Sequence, residues 1–301
     1  MINELSTLPR YVLITPARNE ALLIEQTILA VVAQTVRPVK WVIVSDGSTD
    51  ATDDIVARYA QQHDWIQLVR TPSGAPRDFA GKVRAFNAGQ AALLDVSFDV
   101  IGNLDADITF DAAYFEFIVS QFVHDPRLGV AGTPFREGTH QYDYRYTNIE
   151  HVSGACQMFR RQCFEDIGGY QPLKGGGIDW VAVTTARMRG WRTRTFTERV
   201  CFHHRPMGTA QISQLAARFR LGKKDHALGG HPLWELFRGL YQMKESPRGI
   251  GGLCLLGGYT WAWMSGAKKS ASPALVAFHR HEQMSRLRAL FRWPHREVGR
   301  T

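Results

Sequence analysis

Phe98-Asp99-Val100-Ile101-Gly102-Asn103-Leu104 leads without a break into Asp105-Ala106-Asp107, and this stretch decides the fold. The apolar part predicts a buried strand. If the chain stays extended past the strand, Asp105 and Asp107 face the same side, because side chains two residues apart do so. Two close carboxylates suit Mg²⁺ or Mn²⁺, an ion that commonly also holds a substrate phosphate. The alternative for this motif alone is a pair of solvated turn aspartates.

Working outward from this strand, apolar strand patterns and helical patterns alternate four times with short connections. We predict strands at 11–15, 39–45, 66–70 and 98–104, each followed by a helix. The first two helices end near residues 35 and 62, and the last two span 82–93 and 112–124. This alternation predicts a parallel sheet with helices on both faces. Ligands bind at the carboxyl ends of such strands, so the polar loops after strands one, two and four should converge in one crevice.

Beyond residue 130 the alternation weakens. We interpret 154–161 and 168–179 as loops and short helices added to the sheet, and 191–202 as a further strand. The last part of the chain has a different composition.

Two of the converging loops carry polar side chains. The first is Pro16-Ala17-Arg18-Asn19-Glu20, where backbone N–H groups at a helix start can meet a base or a phosphate. The second is Asp46-Gly47-Ser48-Thr49-Asp50, in which Asp46 can accept a hydrogen bond from a base or a ribose hydroxyl and Gly47 permits the tight turn. The alternative for both loops is ordinary helix capping.

Charge divides the 301-residue chain into two parts. Residues 1–186 carry 15 basic and 22 acidic side chains, a net −7, whereas residues 187–301 carry 21 and 6, a net +15. A basic back half suggests an anionic partner: a membrane, a nucleic acid or phosphorylated substrates. A basic solvated surface is the alternative. The first ten residues lack the apolar core of a secretory signal, and the four cysteines lack metal or redox spacing, so we expect reduced thiols in the cytoplasm.

Residues 250–267 contain no charged side chain and are flanked by Arg248 and Lys268. As a helix, this segment would be ~27 Å long, barely the ~30 Å of a bilayer core, and its glycines weaken the helical pattern. Its large aromatic side chains suit a membrane interface: Tyr259, Trp261 and Trp263. We expect a membrane-embedded or interfacial segment, with a hydrophobic docking helix as the alternative.

The ordered series of motifs resembles the family 2 glycosyltransferases, which have the GT-A fold. The resemblance covers roughly residues 9–215 and rests on Pro16–Glu20, Asp46–Asp50, Gly81-Lys82 with Asn87–Gly89, Asp105–Asp107, Ser153-Gly154 with Arg160-Arg161, Ile167–Tyr170 and Asp179. It implies a Rossmann-like α/β sandwich with a mainly parallel central sheet over residues 1–215. Residues 216–301 would then form a basic and apolar helical extension that associates with a membrane.

The resemblance also implies a role for each matching residue. Contacts to the nucleoside fall on Pro16, Ala17, Arg18, Glu20 and Asp46. Asp105 would approach the ribose and the metal, Asp107 would bind the metal directly, and Lys82 would assist the phosphates, unless it is only a solvated lysine at a helix start.

Asp179 would be the general base, although Ile178 stands where the family commonly has Glu. The alternative is that Asp179 caps a helix starting at Trp180. His203 or His204 could bind the metal or the diphosphate, and adjacent histidines can equally be structural. Arg205 and Lys223 could neutralise the diphosphate, or they could belong to a basic surface.

These roles together imply an inverting glycosyltransferase dependent on Mg²⁺ or Mn²⁺ that uses a nucleotide-diphosphate sugar, most often a UDP-sugar in this family. We expect a glycan or lipid-linked acceptor at the cytoplasmic face of a membrane, in cell-surface polysaccharide or glycolipid synthesis. A sugar nucleotidyltransferase is the runner-up, but no Gly-rich loop follows the first strand. A non-enzymatic binder of membranes or nucleic acid has no need of three functional aspartates. We expect no nucleic-acid partner, and the oligomeric state is left open.

Overall fold

The computed structural model describes residues 8–72, 79–138, 140–141, 148–173, 176–205, 213–244 and 249–292. The chain divides into two compact units, residues 1–206 and residues 207–301. The boundary expected from the sequence, at residue 215, falls in the first turn of a helix that belongs wholly to the second unit.

The first unit begins with the alternation that the sequence predicts. Its elements are β1 (Tyr11–Ala17), α1 (Ile24–Val32), β2 (Lys40–Asp46), α2 (Thr52–Gln62), β3 (Ile66–Thr71), α3 (Phe79–Ala91), β4 (Val100–Leu104), β5 (Ile108–Thr109) and α4 (Tyr114–His124). Then follow β6 (Leu128–Gly132), β7 (Phe135–Glu137), β8 (His140–Gln141), β9 (Cys156–Arg160), α5 (Arg161–Asp166), α6 (Ile178–Met188), β10 (Arg192–Thr195) and β11 (Cys201–His203).

Seven of these strands form the central sheet, in the order β10-β6-β9-β4-β1-β2-β3. Strands β1, β2, β3 and β4 are mutually parallel where they pair, and β10 is parallel to β6. Only β9 runs antiparallel, hydrogen-bonded between β4 and β6. The prediction of a mainly parallel α/β sheet is therefore confirmed.

Two of the predictions beyond residue 130 are wrong. Residues 156–160 form the central strand β9 and not a loop or short helix. Its sequence, Cys-Gln-Met-Phe-Arg, has no clear strand pattern, and its pairing with β4 and β6 decides its conformation. The segment 191–202 is not one strand but two, β10 and β11, which join different sheets.

The core lies on both faces of the central sheet, as alternation along its strands requires. In β1, Tyr11 and Leu13 pack with α1, α2 and α4 on one face, whereas Val12 and Ile14 pack with α3, α5 and α6 on the other. The helices therefore cover both faces, and the carboxyl edge of the sheet is left to its loops.

A smaller sheet stands beside this edge, in the order β5-β11-β7-β8. Strand β11 pairs antiparallel with β5, so that His203 lies opposite Ile108, the residue after Asp107. It also pairs parallel with β7, where Phe202 lies opposite Arg136. This sheet carries the chain back from residue 201 to the Asp-x-Asp motif.

The second unit is helical: α7 (Gln214–Ala227), α8 (Pro232–Gln242), α9 (Ile250–Met264) and α10 (Pro273–Arg292). Helices α7 and α9 cross at glycines. A Cβ added to Gly222 would lie 2.0 Å from the Leu255 carbonyl oxygen, and one added to Gly258 would lie 2.0 Å from that of Phe219. The glycines that weaken the helical pattern in sequence are thus what allows this close crossing.

Helix α9 covers most of the uncharged segment 250–267 and ends at Met264. One side of it is buried by α7 and α8, whereas Leu253, Trp261 and Trp263 are exposed. Among the described helices, none combines the length and the apolar character needed to cross a bilayer. Association of this segment with a membrane stays a prediction.

Candidate active site

A cavity of about 470 Å³ opens at the carboxyl ends of β1, β2 and β4. Its volume is in the range of small-molecule sites. It is lined by Pro16, Ala17, Arg18, Glu20, Asp46, Gly81, Lys82, Ala85, Asp105, Ala106 and Asp107. Every residue that the sequence analysis assigned to nucleotide binding lies on its wall. Parallel strands bring these loops together because their carboxyl ends share one edge.

The first loop differs locally from expectation. Strand β1 continues through Pro16 and Ala17, which lie opposite Val44 and Ser45 of β2, so these two residues are not part of a turn. The prediction that a helix starts in this loop is wrong, because α1 begins only at Ile24. The cavity wall here is therefore a strand end and a bend.

This bend is tied to the second loop by side chain to backbone hydrogen bonds. Asn19, at φ 55°, accepts from the Thr49 N–H at 2.8 Å, and its own N–H donates to Ser48 Oγ at 3.2 Å. Asp50 accepts from the Ala21 and Thr52 N–H groups, so the alternative of a structural role holds for this aspartate. The two loops consequently form one rigid wall.

Asp46, the last residue of β2, faces the cavity. One of its carboxylate oxygens lies 3.8 Å from Arg18 Nη1, and the other accepts a hydrogen bond from Thr71 Oγ1 at 3.1 Å. Gly47 follows at φ 65°, where a side chain would be strained, so the sharp turn after Asp46 needs glycine. Arg18 and Asp46 thus offer a cation and an acceptor at the same wall.

Asp105 and Asp107 come together through a turn and not through an extended segment, because Ala106 and Asp107 turn back into β5. The turn is fixed by the Asp105 N–H, which donates to the Ala155 carbonyl at 2.8 Å, and by Thr27 Oγ1, which donates to that of Ala106 at 2.9 Å. The expected extension was wrong, but the carboxylates still lie on one side.

His203 completes a candidate metal centre. Asp105, Asp107 and His203 each offer one ligand atom, and these atoms all lie within 4.8 Å of one another. Two hard oxygens and one imidazole nitrogen fit a divalent ion such as Mg²⁺ or Mn²⁺. His204 is turned elsewhere: its Nε2 lies 2.8 Å from Thr109 Oγ1. Of the two histidines left open by the sequence, the geometry brings His203 to the aspartates.

The carboxylate of Glu137 lies behind this histidine. His203 Nε2 is 3.5 Å from Asp107 Oδ1, whereas its Nδ1 is 3.0 Å from Glu137 Oε1. A carboxylate behind a metal-binding imidazole orients the ring. Glu137 was not singled out in the sequence because no motif surrounds it; the register of β7 against β11 brings it here.

The charges at this site favour a cation. Burial raises the pKa of Asp107, and the Asp105 carboxylate adds to that rise, while His203, Arg205 and Lys82 oppose it. Burial lowers the pKa of Lys82, but the negative charges of Asp105, Asp179 and Asp107 outweigh it, so its pKa lies above the ordinary value. A bound divalent ion would relieve the repulsion between the two aspartates.

Asp179 lies near this group, in the first turn of α6. A Cβ on Gly154 would lie 3.0 Å from the Asp179 Cβ and 3.2 Å from its Oδ2, so a larger residue at 154 would push the Asp179 side chain by a few tenths of an ångström. Asn103 at the end of β4 donates to the Gly154 carbonyl at 2.7 Å and fixes that segment. The capping alternative is wrong, since α6 begins at Ile178 and Gly177 holds the cap position.

The two predicted diphosphate ligands are placed differently. Arg205 follows β11, binds both carboxylate oxygens of Glu20, and has its Nε 3.9 Å from Asp107 Oδ2. Lys223 is an exposed residue of α7 in the second unit, and its role stays a prediction.

Comparison with known proteins connects this geometry to a family. The sequence model of the family described as "Glycosyl transferase family 2" matches residues 12–150. The probable glycosyltransferase YdaM of Bacillus subtilis is 28% identical over 186 residues, which are 60% of this chain and 40% of that protein. The poly-beta-1,6-N-acetyl-D-glucosamine synthase of Staphylococcus aureus is 31% identical over 117 residues, 38% of this chain and 26% of the synthase. The chain thus spans well under half of these relatives.

Two solved structures share the fold. The mannosyltransferase PcManGT from Pyrobaculum calidifontis, in complex with GDP-Man and Mn²⁺, superposes with a TM-score of 0.57 at 21% identity, covering 96% of this chain and 82% of that one. S. aureus TarS 1-349 in complex with UDP-GlcNAc superposes with a TM-score of 0.53 at 13% identity, covering 89% of this chain and 79% of that one. Both have the mixed α/β architecture seen here. Residues 12–150, which contain the cavity-forming strands, are thus similar to the family 2 glycosyltransferases.

Proposed function

We propose that this protein is an inverting, metal-dependent glycosyltransferase that moves a sugar from a nucleotide-diphosphate donor to an acceptor hydroxyl. One observation carries the proposal: a nucleotide-sized cavity has Asp46 at one wall and Asp105 and Asp107 at another. His203 lies beside these two aspartates, and Asp179 is close enough to raise the pKa of Lys82 on the same cavity. One relative is described as a probable glycosyltransferase and another as a poly-beta-1,6-N-acetyl-D-glucosamine synthase. The solved neighbours hold GDP-Man with Mn²⁺ or UDP-GlcNAc, which supports a nucleotide-sugar donor.

Each part of the site has a separate task in this reaction. The β1 and β2 loops, with Arg18 and Asp46, bind the nucleoside, and Lys82 and Arg205 offset charge on the diphosphate. A divalent ion held at the Asp107 cluster supplies Lewis-acid stabilisation of the leaving diphosphate. Asp179 takes the proton from the acceptor hydroxyl as that oxygen attacks the anomeric carbon. One direct displacement inverts the configuration of the sugar.

The nucleotidyltransferase alternative is less well supported by the site. That reaction typically wants a Gly-rich phosphate loop after the first strand, and the residues here, Pro16 to Glu20, include no glycine. A non-enzymatic binder would give no reason for a carboxylate such as Asp179 to be held beside Gly154 and close to the charge of Lys82.

Thermal shift measurements test the proposal. UDP and GDP are each added with Mn²⁺, without metal, and with EDTA. A nucleotide that binds the folded state raises the melting temperature by mass action. We expect a rise with one nucleotide that needs Mn²⁺ and that EDTA abolishes; indifference to every combination would exclude an enzyme that uses a UDP-sugar or a GDP-sugar. A screen of nucleotide sugars for Mn²⁺-dependent hydrolysis then identifies the donor, because transferases commonly leak donor to water.

We also propose that the second unit holds the enzyme at the cytoplasmic face of an anionic membrane, with a glycan or lipid-linked acceptor, in cell-surface polysaccharide or glycolipid synthesis. The support is an apolar face on α9 whose large side chains stay in solvent: Trp261 is 60%, Trp263 67% and Met264 78% exposed. Exposed apolar groups of this size mark interaction sites. Lys268 and Lys269 follow at once, and residues 207–301 carry a net +10. Interfacial tryptophans next to lysines favour anionic lipid.

Vesicle flotation tests this attachment. The full chain should float with vesicles that contain phosphatidylglycerol and much less with pure phosphatidylcholine, and Trp261→Ala with Trp263→Ala should reduce flotation. Leu22→Ala with Leu94→Ala, which removes two exposed apolar side chains of the first unit, is the control. Equal recovery with and without vesicles would favour the alternative, a hydrophobic docking helix.

A further inference from the structure

Glu20 and Arg205 form a two-pronged ion pair across the cavity wall. Arg205 Nη1 donates to Glu20 Oε1 at 3.0 Å, and Nη2 donates to Oε2. The two residues are 185 positions apart in the sequence. Paired hydrogen bonds of this kind fix the plane of the guanidinium as well as its position.

Glu20 itself is held rigidly. Its N–H donates to Thr52 Oγ1 at 2.8 Å, and its carbonyl oxygen accepts from the Leu23 and Ile24 N–H groups, each at 2.9 Å. The residue is only 8% exposed, so it is a fixed support. Both oxygens of its carboxylate bind Arg205, so the carboxylate is held by this guanidinium. The sequence analysis expected a direct nucleoside contact here and did not anticipate this pair.

The guanidinium is thereby directed to the metal side of the cavity. The third nitrogen of Arg205, Nε, lies 3.9 Å from Asp107 Oδ2. Glu20 and Asp107 both line the cavity, so Arg205 stands between the nucleoside wall and the metal cluster. A nucleotide with its base at β1 and β2 and its phosphates at Asp107 passes this position. Arg205 is 40% exposed, so the pair adds little stability by itself.

We propose that Glu20 is a positioning residue, which acts on the diphosphate only through Arg205. It holds the guanidinium where it can pair with phosphate oxygens, and it keeps Arg205 from closing onto Asp107. This rests on the proposed function, since it assumes that a nucleoside diphosphate enters the cavity. This role differs from a nucleoside contact, because Glu20 would touch neither the base nor the ribose.

Binding of UDP and of uridine to the full-length protein, both in saturating Mn²⁺, distinguishes the roles; GDP and guanosine replace them if the wild type prefers GDP. In Glu20→Gln we expect roughly 10–100-fold weaker UDP binding, as for loss of a hydrogen bond to a charged group, and unchanged uridine binding. The direction of this change distinguishes a positioning role from a general charge effect. Removing a negative charge near a diphosphate would by electrostatics alone tighten UDP binding, whereas loss of the support for Arg205 weakens it.

Arg205→Ala should show the same selective loss, and the double variant Glu20→Gln/Arg205→Ala should be no worse than either single one, because both act through one contact. Glu25→Gln, which breaks the exposed Glu25–Arg58 pair, is the matched control. If Glu20→Gln folds poorly, Glu20→Asp keeps the charge but shortens the reach and should give the same selective loss.

Four results would overturn the inference. Equal losses for uridine and UDP in Glu20→Gln would make Glu20 a nucleoside contact. Tighter or unchanged UDP binding, or additive losses in the double variant, would remove the link through Arg205. A wild type that binds neither nucleotide in Mn²⁺ would overturn the proposed function and this inference with it. The wild-type measurement comes first, so this outcome is distinguished from a failure of the Glu20 inference alone.

Discussion

The ammonium nitrogen of Lys82 lies 2.5 Å from Oδ1 of Asp105. The lysine belongs to α3 and the aspartate follows β4, so the pair joins two sides of the cavity. The negative charges of Asp105, Asp179 and Asp107 keep the lysine protonated by raising its pKa against the effect of burial. The pair therefore places a fixed positive charge beside the candidate metal centre.

Replacing this lysine should change metal and nucleotide binding in opposite directions. In Lys82→Met, Asp105 loses a competing cation, so we expect Mn²⁺ to bind more tightly without nucleotide. UDP should bind roughly tenfold more weakly in saturating Mn²⁺, as for one lost hydrogen bond to a charged group. Calorimetry with Mn²⁺ alone and then with UDP measures both. Weakening of both together would indicate that Lys82 only supports the local fold.

Asp107→Asn should abolish the metal dependence of nucleotide binding. The amide keeps the size of the side chain but removes the charge that holds a divalent ion. We expect the Mn²⁺-dependent rise in melting temperature with nucleotide to disappear, while the melting temperature without ligand changes little. Asp54→Asn, an exposed change on α2, is the control and should keep the full rise. A normal response in Asp107→Asn would exclude this carboxylate as a ligand.

Asp179→Asn should separate donor binding from turnover. An amide cannot accept the acceptor proton, so we expect transfer to fall by ~10²–10⁴-fold, the usual contribution of a general base. Affinity for the nucleotide should stay within about twofold, because donor and metal are bound by other residues. The measurements are the transfer rate and the UDP dissociation constant. Near-normal turnover would remove Asp179 from the mechanism.

Two adjacent glycines of α9 should respond oppositely to alanine. A Cβ at Gly258 would lie 2.0 Å from the Phe219 carbonyl oxygen, whereas at Gly257 the nearest atom is 3.9 Å away. Gly258→Ala should destabilise the second unit by about 1–3 kcal/mol through overpacking. Gly257→Ala should be neutral or stabilise it by up to about 1 kcal/mol through helix propensity. Urea unfolding followed by circular dichroism compares them, and equal effects would contradict the close crossing with α7.

The stability of the second unit should fall as pH rises. Burial raises the pKa of Glu235 to about 8, with the Asp225 carboxylate adding to this and Arg238 opposing it. In the unfolded chain this pKa is about 4.3, so the folded state binds the proton more tightly. The stability that the protonated Glu235 carboxyl contributes is fully present below about pH 4.3 and is lost progressively as the pH rises to about 8. Melting temperatures over this range should show a slope that Glu235→Gln reduces and the exposed Glu198→Gln does not. An unchanged slope in Glu235→Gln would exclude this carboxyl as its source.

Much of the first unit could be predicted because its information is local. Four alternating patterns, each within about 30 residues, placed β1 to β4 and their helices, and the parallel arrangement brought Asp46 and Asp105 to one edge. The antiparallel β9 was missed for the opposite reason. Its five residues carry no period of their own, and hydrogen bonds to β4 and β6, more than 20 residues away in sequence, make it a strand.

The sequence by itself determined the alternating α/β core, the carboxylates at the strand ends and the resemblance to the family 2 glycosyltransferases, because hydrophobic period and short motifs act between near neighbours. Only the tertiary structure decided that the imidazole of His203, and not that of His204, meets the Asp107 carboxylate, and that Arg205 binds Glu20. These choices depend on the register of β11 between β5 and β7. A shift of one residue would exchange the two faces of that strand, and no local pattern in the sequence fixes it.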